Sequence, residues 1–133
     1  MARPIQSDDR NYQSPQLADA LEKQDTAAVA LALRHGKVVV PLLDAPGPDQ
    51  VRVFRREGAE KYMLLLFSSV ANYVAMTPTE QNQRVVMYDR AQLHDFVAQN
   101  EGLLEAVVFD LAGPHAMQAE PAEIVKALEL EAE

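Results

Sequence analysis

The chain has 133 residues, of which 48% are apolar and 24% are charged, and it contains no cysteine. This length suits one domain with a hydrophobic core of its own, and the lack of cysteine excludes disulfides, thiolate zinc sites and cysteine nucleophiles. The 20 acidic and 12 basic residues give a net charge of −8. Such a surface repels a phosphate backbone on average, so we expect no nucleic-acid binding.

The N-terminal sequence favours a cytoplasmic protein. No stretch of the chain approaches the roughly 18–20 consecutive apolar residues of a membrane helix, and the first residues lack the apolar region of a signal peptide. We therefore expect no membrane contact. Residues 1–13 are polar and without periodicity, which predicts a flexible N-terminal arm, and residues 14–133 predict a single α/β domain.

Helical signals follow the arm. Ser14 is a suitable N-cap before Pro15 at the first helical position. Asp25 can cap a second helical piece, which basic residues and then Gly36 bring to an end. Two short helices or one kinked helix would satisfy this pattern.

Three strands are predicted next. The apolar, β-branched stretch Lys37–Leu43 contains Pro41, which must lie at an edge, a bulge or the end of its strand. Proline and glycine in residues 44–49 indicate a loop. The alternation in residues 51–56 predicts a half-exposed strand that pairs with Tyr62–Phe67 as an antiparallel hairpin.

The stretch Tyr62–Phe67 is the central strand of the predicted fold. It is an unbroken apolar run, as expected for a strand buried on both faces. Ser68 or Ser69 can then cap a helix, which the pair Thr77-Pro78 would end.

The rest of the chain continues to mix strands and helices. The pattern predicts a loop at residues 78–83, a strand at 84–88 and a helix capped by Asp89 at 89–100. Two further strands, at 105–111 and 115–120, and a last helix opened by a proline, at 121–133, complete the predicted elements. Acidic residues at the end of the last helix oppose its dipole and predict fraying. We therefore predict an α+β domain with a mixed, mostly antiparallel sheet of about five or six strands and about four helices.

Signals of catalysis or of a bound cofactor are weak. The three histidines, His35, His94 and His115, lie in different elements without metal-ligand spacing, and the five glycines form no phosphate-binding motif. We expect neither metal nor cofactor. The carboxylates Asp89, Asp95 and Asp110 are interpreted as helix caps or solvated groups.

Ser68 and Ser69 occupy a strand-to-helix corner, which is where some hydrolases hold their nucleophile. The flanking glycines of a G-x-S-x-G motif are absent, so helix capping is the preferred interpretation. A hydrolase that uses either serine stays open as an alternative, and it requires His94 or His115 within hydrogen-bond reach.

Protein contact is the function that the residue types favour most. An aromatic residue among arginines suits a protein interface, and the helix after Ser69 carries more apolar residues than one stripe needs. The candidate interaction surface therefore comprises Arg52, Phe54, Arg55, Arg56, Tyr73 and Met76. For the helical residues, core packing is the preferred interpretation and an exposed patch is the alternative.

The chain resembles the SseB family N-terminal domain, a bacterial domain. The likeness runs from about Leu17 to Leu128, and it is carried by VVVPLL at residues 38–43, LLLFSS at 64–69, AVVFDLAGP at 106–114 and the following PAEIVKAL. The chain departs from the family where an Asn-Pro pair is usual after the late strand. The resemblance implies a mixed α/β fold without catalytic residues to carry over.

These observations lead to one hypothesis and two alternatives. We expect a non-catalytic scaffold or protein-interaction domain whose partner is another protein or a second copy of the chain. The alternatives are the small hydrolase described above and a small-ligand sensor, which would need an apolar pocket with a few convergent polar groups.

Overall fold

The computed structural model of the chain describes residues 12–43, 50–77, 84–111 and 115–129. Within these ranges it has five α-helices and five strands. The helices are α1 (Pro15–Glu22), α2 (Thr26–His35), α3 (Val70–Met76), α4 (Arg90–Asn100) and α5 (Pro121–Glu129). The strands are β1 (Val38–Leu42), β2 (Tyr62–Leu66), β3 (Arg84–Tyr88), β4 (Leu104–Phe109) and β5 (Met117–Ala119). A single 3-10 turn, Glu101–Leu103, joins α4 to β4.

The predicted helix caps are confirmed. The side chains of Ser14, Asp25 and Asp89 accept hydrogen bonds from the backbone of the first helical turns that follow them, which satisfies donors that a helix start leaves without partners. Asp89 also forms a reciprocal capping box with Gln92. The first helical region consists of two short helices, because the chain turns at Gln24, whose φ is +52°.

The strands form two sheets that meet at one residue pair. β1 and β3 pair antiparallel, and β2, β4 and β5 form a mixed sheet in which β2 and β4 are parallel. Val39 of β1 exchanges both backbone hydrogen bonds with Phe67, just beyond β2, at 3.0 and 3.1 Å. The α+β class and the mixed pairing are therefore confirmed, whereas the predicted single sheet of about five or six strands is instead two smaller sheets, of two and three strands.

The missing strand is the predicted hairpin partner of β2. Residues 50–56, called the wedge segment below, lie between β1 and β2 where the two strands diverge. Val51 bridges to Leu42 of β1, and Phe54 bridges to Met63 of β2. Because the segment changes partner after a few residues, it does not become a regular strand. The predicted antiparallel pairing with β2 is present at one residue pair, Phe54 and Met63, and does not extend into a longer ladder.

Pro41 lies one residue before the end of β1, which is one of the positions that the sequence allowed. Backbone groups of residues two apart on a strand point to the same side. The nitrogen of Val39 points to Phe67, so the nitrogen of Pro41 points to the wedge segment. The pairing with β3 therefore loses no donor. The carbonyl of Pro41 accepts a hydrogen bond from the backbone N–H of Arg52 at 2.9 Å.

The apolar side chains divide between the two faces of the sheets. Leu64 and Leu66 of β2 belong to a cluster that α1, α2, α4 and α5 cover. Leu65 and Phe67, which alternate with them, belong to a second cluster that α3 covers. All four are at most 1% exposed, so the expectation of a central strand buried on both faces is confirmed for these positions.

Several predictions fall outside the described ranges. They concern most of the N-terminal arm, the loops and the chain end, at residues 1–11, 44–49, 78–83, 112–114 and 130–133. Tyr12, at the end of the predicted arm, accepts a hydrogen bond from the backbone of Val70 at 3.1 Å and donates its hydroxyl to the carbonyl of Lys37. In the described part, no helix has the length and apolar character required to cross a bilayer.

Candidate interaction surface

The wedge segment positions the arginines that the sequence singled out. Its backbone is hydrogen-bonded to β1 through Arg52 and to β2 through Phe54, the latter in both directions with Met63. In an extended segment, successive side chains point to opposite sides. Val51 and Val53 therefore pack on the cluster under the four helices, while Phe54 packs on the cluster under α3.

Arg52 is held by two neighbours on the α3 side. Its guanidinium carbon lies 4.7 Å from the centre of the Phe54 ring, and its Nη1 donates to the hydroxyl of Tyr73 at 3.2 Å. A guanidinium over an aromatic face is attracted by the ring quadrupole. These contacts fix the direction of a long side chain that would otherwise sample many rotamers.

The side chains of Arg55 and Arg56 contact other residues than those that contact Arg52. The guanidinium carbon of Arg55 lies 5.9 Å from the centre of the Tyr62 ring. Arg56 forms a bidentate pair with Glu105 of β4, with distances of 2.6 and 3.0 Å. The hydrogen bond from Arg56 lowers the pKa of the Glu105 carboxyl, and the same bond raises that of Arg56. In the described part of the chain, Arg56 thus has an acidic partner and Arg55 has none.

The two predicted residues on α3 lie deeper than the arginines. Tyr73 is fully buried, and its ring centre is 5.3 Å from that of Phe67. Met76 is half-buried against the same cluster. Tyr73 therefore lies beneath the candidate surface, and its hydroxyl contacts Arg52. Met76 is partly exposed at the end of the helix.

A buried polar corner joins the two central strands, and the sequence did not predict it. Asp110 accepts hydrogen bonds from the backbone N–H of Ser68 at 2.8 Å and from its Oγ at 2.7 Å. Ser69, rather than Ser68, is the N-cap of α3. The interpretation of Asp110 as a cap or a solvated group is thus wrong, because it is 6% exposed and ties the end of β4 to the end of β2.

The histidines do not meet the serines. His94 hydrogen-bonds to Glu129 at 2.9 Å and lies 3.5 Å from Asp95, and the bond to Glu129 raises its pKa above the ordinary value of 6.5. The side-chain oxygen of Ser68 has Asp110 and Asn72 as its partners among the described residues. The serine–histidine hydrogen bond that a hydrolase requires is therefore not present in this part of the chain.

The described residues also contain no group of three or more histidine, aspartate or glutamate side chains placed to hold a metal ion.

Comparison with protein families matches residues 15–126 to the SseB protein N-terminal domain. The chain belongs to the SseB family. A comparison with curated proteins finds no match. The region matched to the SseB domain contains the whole wedge segment, α3 and both members of the Ser68–Asp110 corner, so the candidate surface lies within the family domain.

The sequence placed the three arginines on one surface, whereas in the structure each of them has a different neighbour. The signal for Arg52 was its alternation with two valines, which places it on the opposite side of the segment. No sequence signal indicated Glu105 as the partner of Arg56, since 49 residues separate them.

Proposed function

We propose that this SseB-family domain is a non-catalytic protein-interaction domain that binds its partner through Arg52, Phe54 and the exposed edge of α3. The observation that supports this most is the ordered arginine at the wedge segment. Its guanidinium is stacked on Phe54 and anchored by the buried Tyr73.

Arginine and aromatic side chains carry a large share of the binding energy in protein interfaces. An arginine that is already ordered loses less side-chain entropy on binding, which is a substantial cost for long side chains. Arg52 therefore suits the recognition of a carboxylate on a partner, and half-buried Phe54 and Met76 supply apolar contact next to it.

The charge of the chain indicates the kind of partner. With a net charge of −8, the domain repels acidic proteins in general, and the wedge segment is where arginines cluster. We therefore propose a partner that presents an acidic residue beside an apolar one, because complementary charges orient the encounter and reject wrong partners. We place this function in the bacterial cytoplasm, in agreement with the lack of cysteine.

The hydrolase alternative gains no support from the contacts of Ser68. Its Oγ donates to the carboxylate of Asp110 and accepts from the side chain of Asn72. A serine nucleophile needs a base to take its proton and room for a substrate, and Ser68 is 1% exposed. The same contacts are sufficient to stabilise a strand-to-helix corner.

The proposal is tested by capture from a bacterial lysate with matched variants. Wild-type protein, Arg52→Gln and the distant control Lys126→Gln are immobilised, and the captured proteins are identified and then purified for direct titration. We expect a partner whose binding is weakened about tenfold or more by Arg52→Gln and is unchanged by Lys126→Gln. Partners that bind all three proteins equally would contradict the proposal.

Light scattering over a range of concentrations completes this test. A dimer that dissociates on the Arg52→Gln substitution would identify the partner as a second copy of the chain. A dimer that is insensitive to Arg52→Gln, with no partner sensitive to it, would show that the surface is not used.

A further inference from the structure

A groove of about 410 Å³ lies on the other side of the wedge segment from Arg52. Its walls come from the wedge segment, the start of β2, the end of β3, the last turns of α4 and the start of β4. Its lining residues include Val51, Val53, Tyr62, Tyr88, Phe96 and Leu103. The volume falls within the range of small-molecule sites, roughly 300–1,000 Å³.

The walls of this groove are mainly aromatic and aliphatic. The rings of Tyr88 and Phe96 lie with centres 6.4 Å apart and are tilted by 56°, and Tyr62 adds a third ring. Leu103 also lines the groove, and 59% of its surface is exposed. An apolar ligand body would cover these surfaces.

Arg55 provides a positive charge beside the groove. It shares its side of the wedge segment with Val51 and Val53, because side chains two apart in extended backbone point the same way. Its guanidinium lies over Tyr62, one of the rings that line the groove. Since Arg55 has no acidic partner among the described residues, its guanidinium can form a charge-assisted hydrogen bond with an arriving carboxylate.

The groove is lined mainly by apolar side chains, whereas a peptide that binds as an added strand uses backbone groups. Such peptides pair with free N–H and C=O groups along an exposed edge. The wedge segment already bonds to β1, through Arg52 N–H and the Pro41 carbonyl, and to β2, through Phe54 and Met63. These bonds use the backbone groups of Arg52 and Phe54, and the groove itself is lined mainly by residues with aromatic and aliphatic side chains.

We infer that this groove binds a small monocarboxylate with an aryl or short alkyl body. The body packs against Tyr62, Tyr88 and Phe96, and the carboxylate pairs with the guanidinium of Arg55. This site is independent of the proposed protein interface, because Arg52 and Phe54 project from the opposite side of the wedge segment.

Titration of the whole chain with 4-phenylbutyrate tests this inference. Binding is followed by calorimetry and by the fluorescence of the tyrosines, and 4-phenylbutyramide serves as an uncharged ligand of matched shape. We expect saturable binding of the acid and binding about tenfold weaker or more for the amide, since the uncharged amide forms only a weaker hydrogen bond with the guanidinium.

Two arginine variants locate the charge. Arg55→Gln should weaken binding of the acid about tenfold and leave binding of the amide unchanged. Arg56→Gln removes the same charge one residue away, from a side chain already paired with Glu105, and should have no comparable effect. Equal weakening by the two variants would overturn the assignment to Arg55, because it would show a general effect of net charge.

A substitution within the groove tests whether the apolar body of the ligand binds there. Leu103→Glu changes an exposed position, so the protein should keep its fold, and it places a negative charge where the apolar body would lie. We expect loss of binding to both ligands. No saturable binding to the wild-type chain, or binding that Leu103→Glu leaves intact, would overturn the inference.

Discussion

The two faces of the sheets carry similar apolar side chains but differ in what covers them. On one face, α1, α2, α4 and α5 enclose the larger cluster. On the other face the smaller cluster is covered, in the described part of the chain, by the seven-residue helix α3 together with Tyr12 and Phe54. The strand β2 contributes to both clusters by simple alternation.

The two faces therefore differ in their expected roles: one contributes most to stability, and the other suits binding. The helix-covered face buries side chains against several elements at once, which is where most of the favourable free energy of folding arises. The face under α3 is bordered by the half-buried side chains Phe54, Met63, Met76 and Met87 and by the ordered Arg52. A thinly covered face with such a border suits a surface that binds another molecule.

The largest expected effects come from neighbouring leucines of β2. Leu66→Ala opens a cavity under the four helices, and Leu65→Ala opens one under α3; both side chains are at most 1% exposed. We expect each to lower the free energy of unfolding by about 2–5 kcal/mol, and more for Leu66→Ala, because a single short helix can shift to fill part of a cavity. Chemical denaturation measures both values.

Equal losses for Leu65→Ala and Leu66→Ala would show that α3 is packed as rigidly as the helices opposite. In that case the distinction between the two faces would rest on the exposed border alone.

The next effect concerns the polar corner at the edge of the α3 face. Asp110→Ala leaves the N–H and hydroxyl of buried Ser68 without their acceptor, so we expect a loss of about 1–3 kcal/mol in thermal or chemical unfolding. Asp110 also has φ of +48°, a conformation that asparagine adopts readily. Asp110→Asn should therefore cost less than Asp110→Ala, and the reverse order would contradict this account of the corner.

Removal of a helix cap on either face should cause a smaller loss of stability. Ser69→Ala removes the cap of α3, and Asp89→Ala removes that of α4, each at a cost of about 0.5–2 kcal/mol. We expect Ser69→Ala to increase hydrogen exchange mainly within α3, because few elements pack on that helix. If exchange rose equally throughout the protein, α3 would be part of the global folding unit.

The smallest effect is pH-dependent and lies on the helix-covered face. The hydrogen bond with Glu129 raises the pKa of His94 in the folded state, so the folded chain binds this proton more tightly than the unfolded chain. The resulting stabilisation is fully present below the ordinary pKa of about 6.5 and is lost as the pH rises through the folded-state pKa.

Denaturation at several pH values should show this difference for the wild type and not for His94→Gln. The substitution Glu129→Gln removes the acidic partner of His94 and should reduce the same pH dependence. Persistence of the same dependence in His94→Gln would assign it to other groups.

The local elements could be predicted well from the sequence. Caps such as Ser14, Asp25 and Asp89 act within one helical turn, so a short stretch contains both the donor and the acceptor. The apolar run of β2 likewise contains its own evidence of burial on two faces. Within the candidate surface, the spacing of two residues between Arg52 and Phe54 is sufficient to place them on one side of the wedge segment, whereas Arg55 lies on the other side.

The pairings between distant segments could be decided only by the tertiary structure. The wedge segment has the alternation of a strand, but whether it pairs regularly depends on how far β1 and β2 diverge. Asp110 became the partner of Ser68 because parallel pairing of β2 with β4 brings together two strand ends that lie 42 residues apart. Alternation and capping are local properties of the chain, whereas strand register and the closure of a groove depend on the packing of all elements together.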